Sequence, residues 1–213
     1  MTPVKRPVAL LLNIAHALDH MFLLIFATAV TAIAADFGFA DWESLMPYGV
    51  GAFMLFGLGS LPAGRLGDLW GRRPMMLVFF VGMGVSMLVI ALTRNAWELA
   101  SALTLMGLFS SIYHPVGIPM LVRGASRPGL AIGVNGLAGN LGVAFAAVTT
   151  GFLVKYAGWR VAFVVPGLFA IACGVAFARL APRDEAPPAH GARTPRSDAP
   201  SALARIFAIM TIA

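Results

Sequence analysis

The chain has 213 residues, of which 59% are hydrophobic and only 11% are charged, and its mean hydropathy is +0.85. Ordinary soluble domains carry about a quarter charged residues, so this composition excludes a typical soluble enzyme and indicates a membrane protein. The formal net charge is +6, but the basic residues lie between apolar segments without an aromatic-rich stripe, which argues against nucleic-acid binding.

Six apolar segments are long enough to cross a bilayer, because a spanning helix needs roughly 20 residues at 1.5 Å each. Charged or helix-breaking residues separate these segments. The sequence therefore predicts an all-α membrane protein with a six-helix bundle over residues 1–182. The predicted spans cover residues 8–35, 45–66, 74–93, 97–122, 130–154 and 160–180.

The lysines and arginines are distributed unevenly along these gaps. If the N-terminus is cytoplasmic, twelve of the fifteen fall on the cytoplasmic side, and only Arg94, Lys155 and Arg160 fall outside. The positive-inside rule therefore predicts a cytoplasmic N-terminus in a multi-pass protein. The arginine-rich, lysine-poor composition is typical of GC-rich bacterial genomes, so an inner cell membrane is expected.

The composition changes abruptly after the sixth segment. Residues 183–203 are rich in proline, alanine and charge without hydrophobic periodicity, so they are predicted to form a flexible cytoplasmic linker. Residues 204–213 are apolar again but too few to cross a bilayer. They are expected to be the first turns of a truncated seventh helix.

The first predicted helix carries Asn13, His16, Asp19 and His20. At 100° per residue they share about a third of the helix circumference, and Asp19 lies roughly 18 Å beyond Pro7, near mid-membrane. An acid there costs about 2.5–3.5 kcal/mol, and ionisable residues at this depth are usually functional. These residues are therefore predicted to serve proton coupling or a substrate cavity, although a static network that locks the helix to its neighbours stays open.

The fourth and fifth predicted helices contain further polar side chains. Pro115 lacks the N–H that a helix requires, so a kink is expected beside Tyr113 and His114. Both side chains are predicted to face a cavity, and a simple proline bend is the alternative. Asn135 and Asn140 either contact substrate or join neighbouring helices.

A charged, glycine-containing hinge is predicted between the second and third helices. Residues 64–74 have the sequence Gly-Arg-Leu-Gly-Asp-Leu-Trp-Gly-Arg-Arg-Pro, in which the glycines permit a tight reversal and Asp68 has arginines on either side. This spacing resembles the loop between helices two and three of the major facilitator superfamily. The motif residues are Gly64, Arg65, Asp68, Gly71, Arg72 and Arg73.

Two other segments resemble the same family. Residues 158–163, Gly-Trp-Arg-Val-Ala-Phe, resemble the start of its helix six, and the glycines at 133, 136, 139 and 142 resemble its glycine-rich helix five. The resemblance implies the N-terminal half of a twelve-helix fold, built as two three-helix inverted repeats, with a substrate site near the bilayer midplane. It also implies that Asp68 and the arginines form a cytoplasmic gate.

The sequence departs from classical drug–proton antiporters of the family, since Leu69 replaces a basic residue and Leu103 an arginine. The positions of His16, Asp19 and the His114–Pro115 pair are similar to fosmidomycin-resistance-type efflux carriers.

The predicted function is secondary active transport of a small organic solute, by alternating access with proton coupling, and drug or metabolite efflux is one form of it. The partners are the lipid bilayer, the substrate, protons and a second six-helix half. Without a nucleotide-binding loop or a Gly-x-Ser-x-Gly elbow, neither a cofactor nor an enzymatic activity is expected. Cys173 is the single cysteine, and no metal site is predicted. The alternative is a non-transporting half that acts as a scaffold or needs a separate C-terminal half.

Overall fold

A computed structural model describes residues 4–182, and within that range all regular structure is helical. A 3₁₀ helix, Glu43–Gly49, precedes α2, and a π-helical turn, Tyr113–Gly117, joins α5 to α6. The predicted linker 183–203 and the expected seventh-helix start 204–213 lie outside the described residues. The α-helices are α1 (Arg6–Asp36), α2 (Val50–Leu58), α3 (Ser60–Trp70), α4 (Arg72–Leu92), α5 (Ala96–Ser110), α6 (Ile118–Val122), α7 (Pro128–Ala157) and α8 (Trp159–Leu180).

Five helical stretches of this part of the chain are each long and apolar enough to cross a membrane: α1, α4, Ala96–Val122, α7 and α8. Residues 43–70 meet the same test only as a pair bent by 45° between Leu58 and Ser60. A Gly–Ser pair lies at the bend, and Ser60 Oγ donates to the Phe56 carbonyl at 2.8 Å. With this pair as one broken span, the predicted all-α fold of six spans is confirmed.

The turn between the second and third spans is shorter than the predicted hinge. Helix α3 continues to Trp70, and the chain reverses at Gly71, whose φ of 97° favours glycine. A Cβ on Gly64 would lie 3.3 Å from Cβ of Pro115, so this residue packs inside the bundle. The polar residues of the motif had suggested a loop, but they occupy the last turns of a helix.

The packing of the helices follows an internal repeat. Helix α1 packs along α7 and α2 along α5, α4 packs along α8, and the pairs α4–α5 and α1–α8 also touch. If spans one, two and three are exchanged with spans four, five and six, the α1–α7 pair becomes the α5–α2 pair and the α4–α5 pair becomes the α8–α1 pair. The α4–α8 pair is unchanged by this exchange. Because each set crosses the membrane three times, the second set begins on the opposite side, which gives inverted repeats.

Glycines permit close approach at the two helix interfaces that the repeat relates, α1–α7 and α2–α5. A Cβ on Gly142 of α7 would collide with the backbone of Ala17 in α1, and one on Gly107 of α5 would collide with the backbone of Ala52 in α2. Small residues at helix interfaces allow such contact in membranes. The residues at 133 and 136 have no atom within 4 Å of a Cβ, so only part of the glycine run of α7 serves packing.

Two arginines join the ends of α4 and α8. Arg73 donates to the carbonyls of Ala178 and Ala181, at 2.7 and 3.1 Å, where α8 ends. Arg160 donates to the carbonyl of Thr93, at 3.1 Å, where α4 has just ended. Each arginine thus satisfies carbonyls that the end of a helix leaves without an intrahelical donor.

Candidate functional site

Most of the polar residues predicted to serve transport lie together inside the bundle. Helix α1 contributes one face, the end of α5 and the π-helical turn contribute a second, and α7 contributes one amide. Aromatic and aliphatic side chains surround them. This polar cluster consists of Asn13, His16, Asp19, His20, Ser110, Tyr113, His114 and Asn135.

Asp19 is completely buried. Ser110 Oγ donates to its Oδ1 at 2.5 Å, and His114 Nδ1 lies 3.5 Å from its Oδ2. Both Asp19 Oδ2 and His114 Nδ1 are buried without a hydrogen-bond partner among residues 4–182. Buried polar atoms normally have partners, so this pair is an unusual feature that a proton or a ligand would relieve.

His16 and His20 take part in a short chain of hydrogen bonds, which determines which of their bonded ring nitrogens donates and which accepts. His16 Nδ1 must donate to the carbonyl of Asn135, 2.7 Å away, because a carbonyl only accepts. In the neutral ring the His16 Nε2 atom therefore accepts, and His20 Nε2 donates to it at 3.0 Å. The i, i+4 spacing on α1 places the two rings side by side.

Asn135 connects three elements of the bundle. Its Nδ2 donates to Asn13 Oδ1 at 2.9 Å and to the Tyr113 hydroxyl at 2.7 Å. That hydroxyl in turn donates to the Leu12 carbonyl at 2.8 Å. Asn135 and Tyr113 are both buried, so these bonds join α1, the π-helical turn and α7.

The cluster is accessible from the side of His114. The His114 side chain is 36% exposed, and its ring lies 5.1 Å from that of His16 and 5.7 Å from that of His20. Phe56 of α2 contacts the same ring edge-on at 5.6 Å. The cluster is therefore open at His114, while His16 behind it is buried.

The π-helical turn explains how His114 and Tyr113 enter the cluster. Pro115 has no N–H to donate, so the α-helical ladder is interrupted where a kink was expected. Gly117 follows, and a Cβ there would lie 2.7 Å from the Tyr113 ring. Pro115 and Gly117 together leave room for these two side chains against α1.

The remaining predicted site residues lie elsewhere. Asn140 is exposed, about 140° around α7 from Asn135. Arg65 and Asp68 are exposed, and within residues 4–182 Asp68 makes no ion pair. Gly64 and Gly71 shape the α3–α4 turn, Arg72 is half-buried beside it, and Arg73 binds the end of α8.

Two residues of the site were not identified from the sequence. Ser110 was not among the predicted site residues, although its i, i+4 spacing to His114 places both on one helix face. Gly139 supports the site in another way, because a Cβ there would lie 2.8 Å from the His16 ring. No sequence signal identifies it, because the contact joins two helices that are distant along the chain.

Comparisons with known proteins agree with this architecture. A sequence model of the Major Facilitator Superfamily matches residues 12–212. The chain is 26% identical to a probable actinorhodin transporter of Streptomyces coelicolor, over 81% of this chain and 31% of that protein. It is 30% identical to a tetracenomycin C resistance and export protein of Streptomyces glaucescens, over 64% of this chain and 26% of the relative.

Another relative is a puromycin resistance protein of Streptomyces alboniger, 28% identical over 82% of this chain and 34% of its own length. The matches thus span about a third or less of these relatives. The match to the family model covers most of the chain, including every one of the six spans in part or in full. The chain belongs to the Major Facilitator Superfamily.

Proposed function

We propose that this chain forms one six-helix half of a secondary transporter that exports a small organic solute in exchange for protons. The observation that carries the proposal is Asp19, a completely buried carboxylate near the middle of α1 that faces the imidazole of His114. An ionisable residue at such depth is costly and marks a functional pathway.

The geometry around Asp19 suits a group that gains and loses a proton. When Asp19 is protonated on Oδ2, this hydroxyl can donate to His114 Nδ1, which lies 3.5 Å away. Both atoms of the neutral Asp19–His114 pair then have a hydrogen-bond partner. Loss of that proton leaves a buried anion that favours a cationic or hydrated surrounding. Two conformations that differ in access to this carboxylate therefore differ in proton affinity, which is the thermodynamic requirement for coupling.

The relatives suggest the substrate class. Three of them are named for actinorhodin, tetracenomycin C and puromycin, and one of the three names includes export. A fourth, from Chlamydia pneumoniae, is a probable hexose phosphate transport protein that is 26% identical over 70% of this chain and 33% of its own length. A phosphate ester calls for arginine or lysine donors, and the polar cluster as defined contains neither. The cluster therefore favours an uncharged or cationic organic solute.

A complete transporter of this type requires a second half. The outward side of α7 presents large apolar side chains, including Leu137, Leu141, Phe145 and Phe152. Such a surface suits either lipid or a second bundle of helices. We expect a second six-helix half to complete the cavity next to His114, with the N-terminus of this chain in the cytoplasm of a bacterial inner membrane.

The transport proposal is tested by flux measurements in proteoliposomes. The product of the complete reading frame is reconstituted with puromycin, actinorhodin or tetracenomycin C, and efflux is followed with and without an imposed pH gradient. We expect gradient-dependent flux that Asp19→Asn abolishes. Asp41→Asn, in the exposed segment after α1, is the matched control and should leave flux unchanged. Flux that is independent of both the gradient and Asp19 would falsify the coupling.

The alternative of a non-transporting half is tested with the same vesicles. If the 213-residue chain alone catalyses no flux and the complete product does, the chain needs its second half. If neither catalyses flux of any compound in a broad panel, while the chain still binds another membrane protein, the scaffold alternative replaces transport.

The proposed orientation is tested by cysteine accessibility. Cys173 is buried, so the background of labelling by a membrane-impermeant maleimide is low. Arg72→Cys and Lys155→Cys should react from opposite sides of intact cells and everted vesicles. Reaction of both from the same side would contradict the six-span topology.

A further inference from the structure

We propose that His16, His20 and His114 bind a divalent transition-metal ion of the Zn²⁺, Co²⁺ or Ni²⁺ class. Each of the three rings offers one nitrogen, and these nitrogens all lie within 4.8 Å of one another. Imidazole is a preferred ligand of this class of ion. The proposal concerns binding of the metal itself, and it holds or fails independently of solute transport.

The spacing of the nitrogens is close to that of a three-histidine site. A tetrahedral ion with metal–nitrogen bonds of 2.0–2.1 Å holds its ligand atoms about 3.4 Å apart. His16 Nε2 and His20 Nε2 are already 3.0 Å apart on one face of α1. The nitrogen of His114 lies no more than 4.8 Å from the other two, so this side chain must move towards them to complete a tetrahedral site, whose ligand atoms are about 3.4 Å apart.

Two of the histidines have, next to the ring nitrogen that does not face the ion, the kind of hydrogen-bond acceptor that metal-bound histidines usually have. Such a histidine usually donates its other ring N–H to a backbone carbonyl or a carboxylate. His16 Nδ1 donates to the Asn135 carbonyl, which leaves Nε2 for the ion. His114 Nδ1 lies 3.5 Å from Asp19 Oδ2, which leaves Nε2 of His114 for the ion in the same way.

The unpartnered atoms give an independent reason to expect a ligand here. Asp19 Oδ2 and His114 Nδ1 are buried and lack hydrogen bonds within residues 4–182. When an ion holds His114 through Nε2, its proton resides on Nδ1 and is donated to Asp19. His20 exchanges its bond to His16 for a metal bond, and its proton moves to Nδ1. Asp19 Oδ2 and His114 Nδ1, the two atoms without partners, are then bonded to each other.

An ion also has a route to the site and space for a fourth ligand. The 36% exposure of the His114 side chain places one ligand at the open side of the cluster. His20 is half-buried beside it, and only His16 is enclosed. Water or a solute atom completes the tetrahedron from that side, as in sites that keep one position open.

The experiment uses the 213-residue chain purified in detergent and freed of metal. Co²⁺ is added while visible absorption is recorded, and Zn²⁺ affinity is measured by calorimetry. We expect one ion per chain, the intense visible bands of tetrahedral Co²⁺, and displacement of Co²⁺ by Zn²⁺. His20→Gln and His114→Gln should each lower affinity at least tenfold, and Asp19→Asn by about tenfold through its effect on His114.

The matched control is the fourth histidine, His190, which lies outside the described residues. His190→Gln should keep affinity and spectrum unchanged. Thermal unfolding of each variant without metal establishes that it is folded. If another variant does not fold, His114→Gln decides alone, and an unchanged Co²⁺ spectrum in this variant would overturn the proposal. Absent tetrahedral bands in the wild-type chain, or an affinity lost in His190→Gln and kept in His114→Gln, would overturn the proposal.

Discussion

The α1–α7 pair and the α4–α8 pair both contain close helix contacts, but polar side chains connect the first pair and apolar side chains fill the second. Both approach closely at glycines, Gly142 against Ala17 in the first pair and Gly84 against the carbonyl of Gly167 in the second. Side-chain hydrogen bonds from Asn135 and His16 connect the first pair. The second is filled by apolar side chains, namely Phe79, Phe80, Met83, Met87, Phe163 and Phe177.

The difference separates the part of the bundle that contains the proposed site from the part that is held together by apolar packing. In lipid, apolar packing gives helices shape complementarity, and polar side chains at interfaces add hydrogen bonds of modest strength. The α4–α8 pair uses packing in the middle and arginines at both ends, so it is a rigid base. The α1–α7 pair carries titratable groups that a rigid base can hold in position.

The first prediction concerns the close approach that both pairs share. Gly142→Val places atoms against the Ala17 backbone, which cannot move away as a side chain can. We expect a loss of more than about 3 kcal/mol in stability and little folded protein after detergent extraction. Gly151→Val on the same helix, where a Cβ meets no atom within 4 Å, is the control and should give normal yield. Equal yields from the two variants would show that this contact does not govern assembly.

The same change in the other pair tests whether packing is equivalent. Gly84→Val meets the Gly167 carbonyl, 2.7 Å from the position of a Cβ. We expect a destabilisation as severe as that of Gly142→Val, measured by the same extraction and melting assay. A milder effect would mean that the α4–α8 pair adapts more readily than the α1–α7 pair, contrary to its role as the rigid base.

The arginines at the ends of α4 and α8 give the next largest effect. Arg73→Gln removes two charged hydrogen bonds to the end of α8, and Arg160→Gln removes one to the carbonyl of Thr93 together with an ion pair to Asp36 at 2.8 Å. We expect Arg73→Gln to cost about 2 kcal/mol and Arg160→Gln, which is more exposed, about 1 kcal/mol. Thermal unfolding in detergent measures both.

The control for these arginine variants is Arg72→Gln, next to Arg73 in the predicted gate motif. It should change the melting temperature little, although a role in gating would lower transport by the complete protein. An Arg72→Gln variant as unstable as Arg73→Gln would show that the two neighbours share the structural task.

Much of the membrane fold was predictable from the sequence, because span length and hydropathy depend on neighbouring residues. The helical period also placed Asn13, His16, Asp19 and His20 on one face of α1, where the structure has them in one cluster. These features depend on local chain geometry, which a single sequence contains. The inverted repeats came instead from the family resemblance, and the packing of the helices confirms them.

The details that the sequence did not provide depend on contacts between distant segments. Ser110 is the partner of Asp19 only because α5 packs beside α1. Arg73 was assigned to a gate, since nothing in its neighbourhood reveals that its donors reach Ala178 and Ala181. The continuation of α3 to Trp70 was also missed, because charged and glycine residues favour a loop until packing against the π-helical turn is known.

A smaller effect is expected where the polar network joins α1 to α7. Asn135→Leu removes the bonds to Asn13 and Tyr113 and leaves the Asn13 amide oxygen without this donor. Interhelical hydrogen bonds in membranes contribute about 0.6–2 kcal/mol, so a loss in that range is expected in thermal unfolding. Asn140→Leu, on the exposed side of α7, should be neutral. A neutral Asn135→Leu would indicate that the network positions side chains without stabilising the helices.

The smallest effect is expected from two buried serines, one in the polar cluster and one on α4. Ser110 in the polar cluster donates to Asp19, whereas Ser86 of α4 is completely buried and its hydroxyl has no partner among residues 4–182. Ser86→Ala removes an unsatisfied hydroxyl, so stability should rise by up to about 1 kcal/mol. Ser110→Ala deprives a buried carboxylate of its donor and should lower stability by a similar amount while impairing transport by the complete protein. Because the substitution is the same, opposite signs in the melting temperature would come from the surroundings alone. Equal signs would mean that the polar cluster around Ser110 and the apolar surroundings of Ser86 do not differ as described.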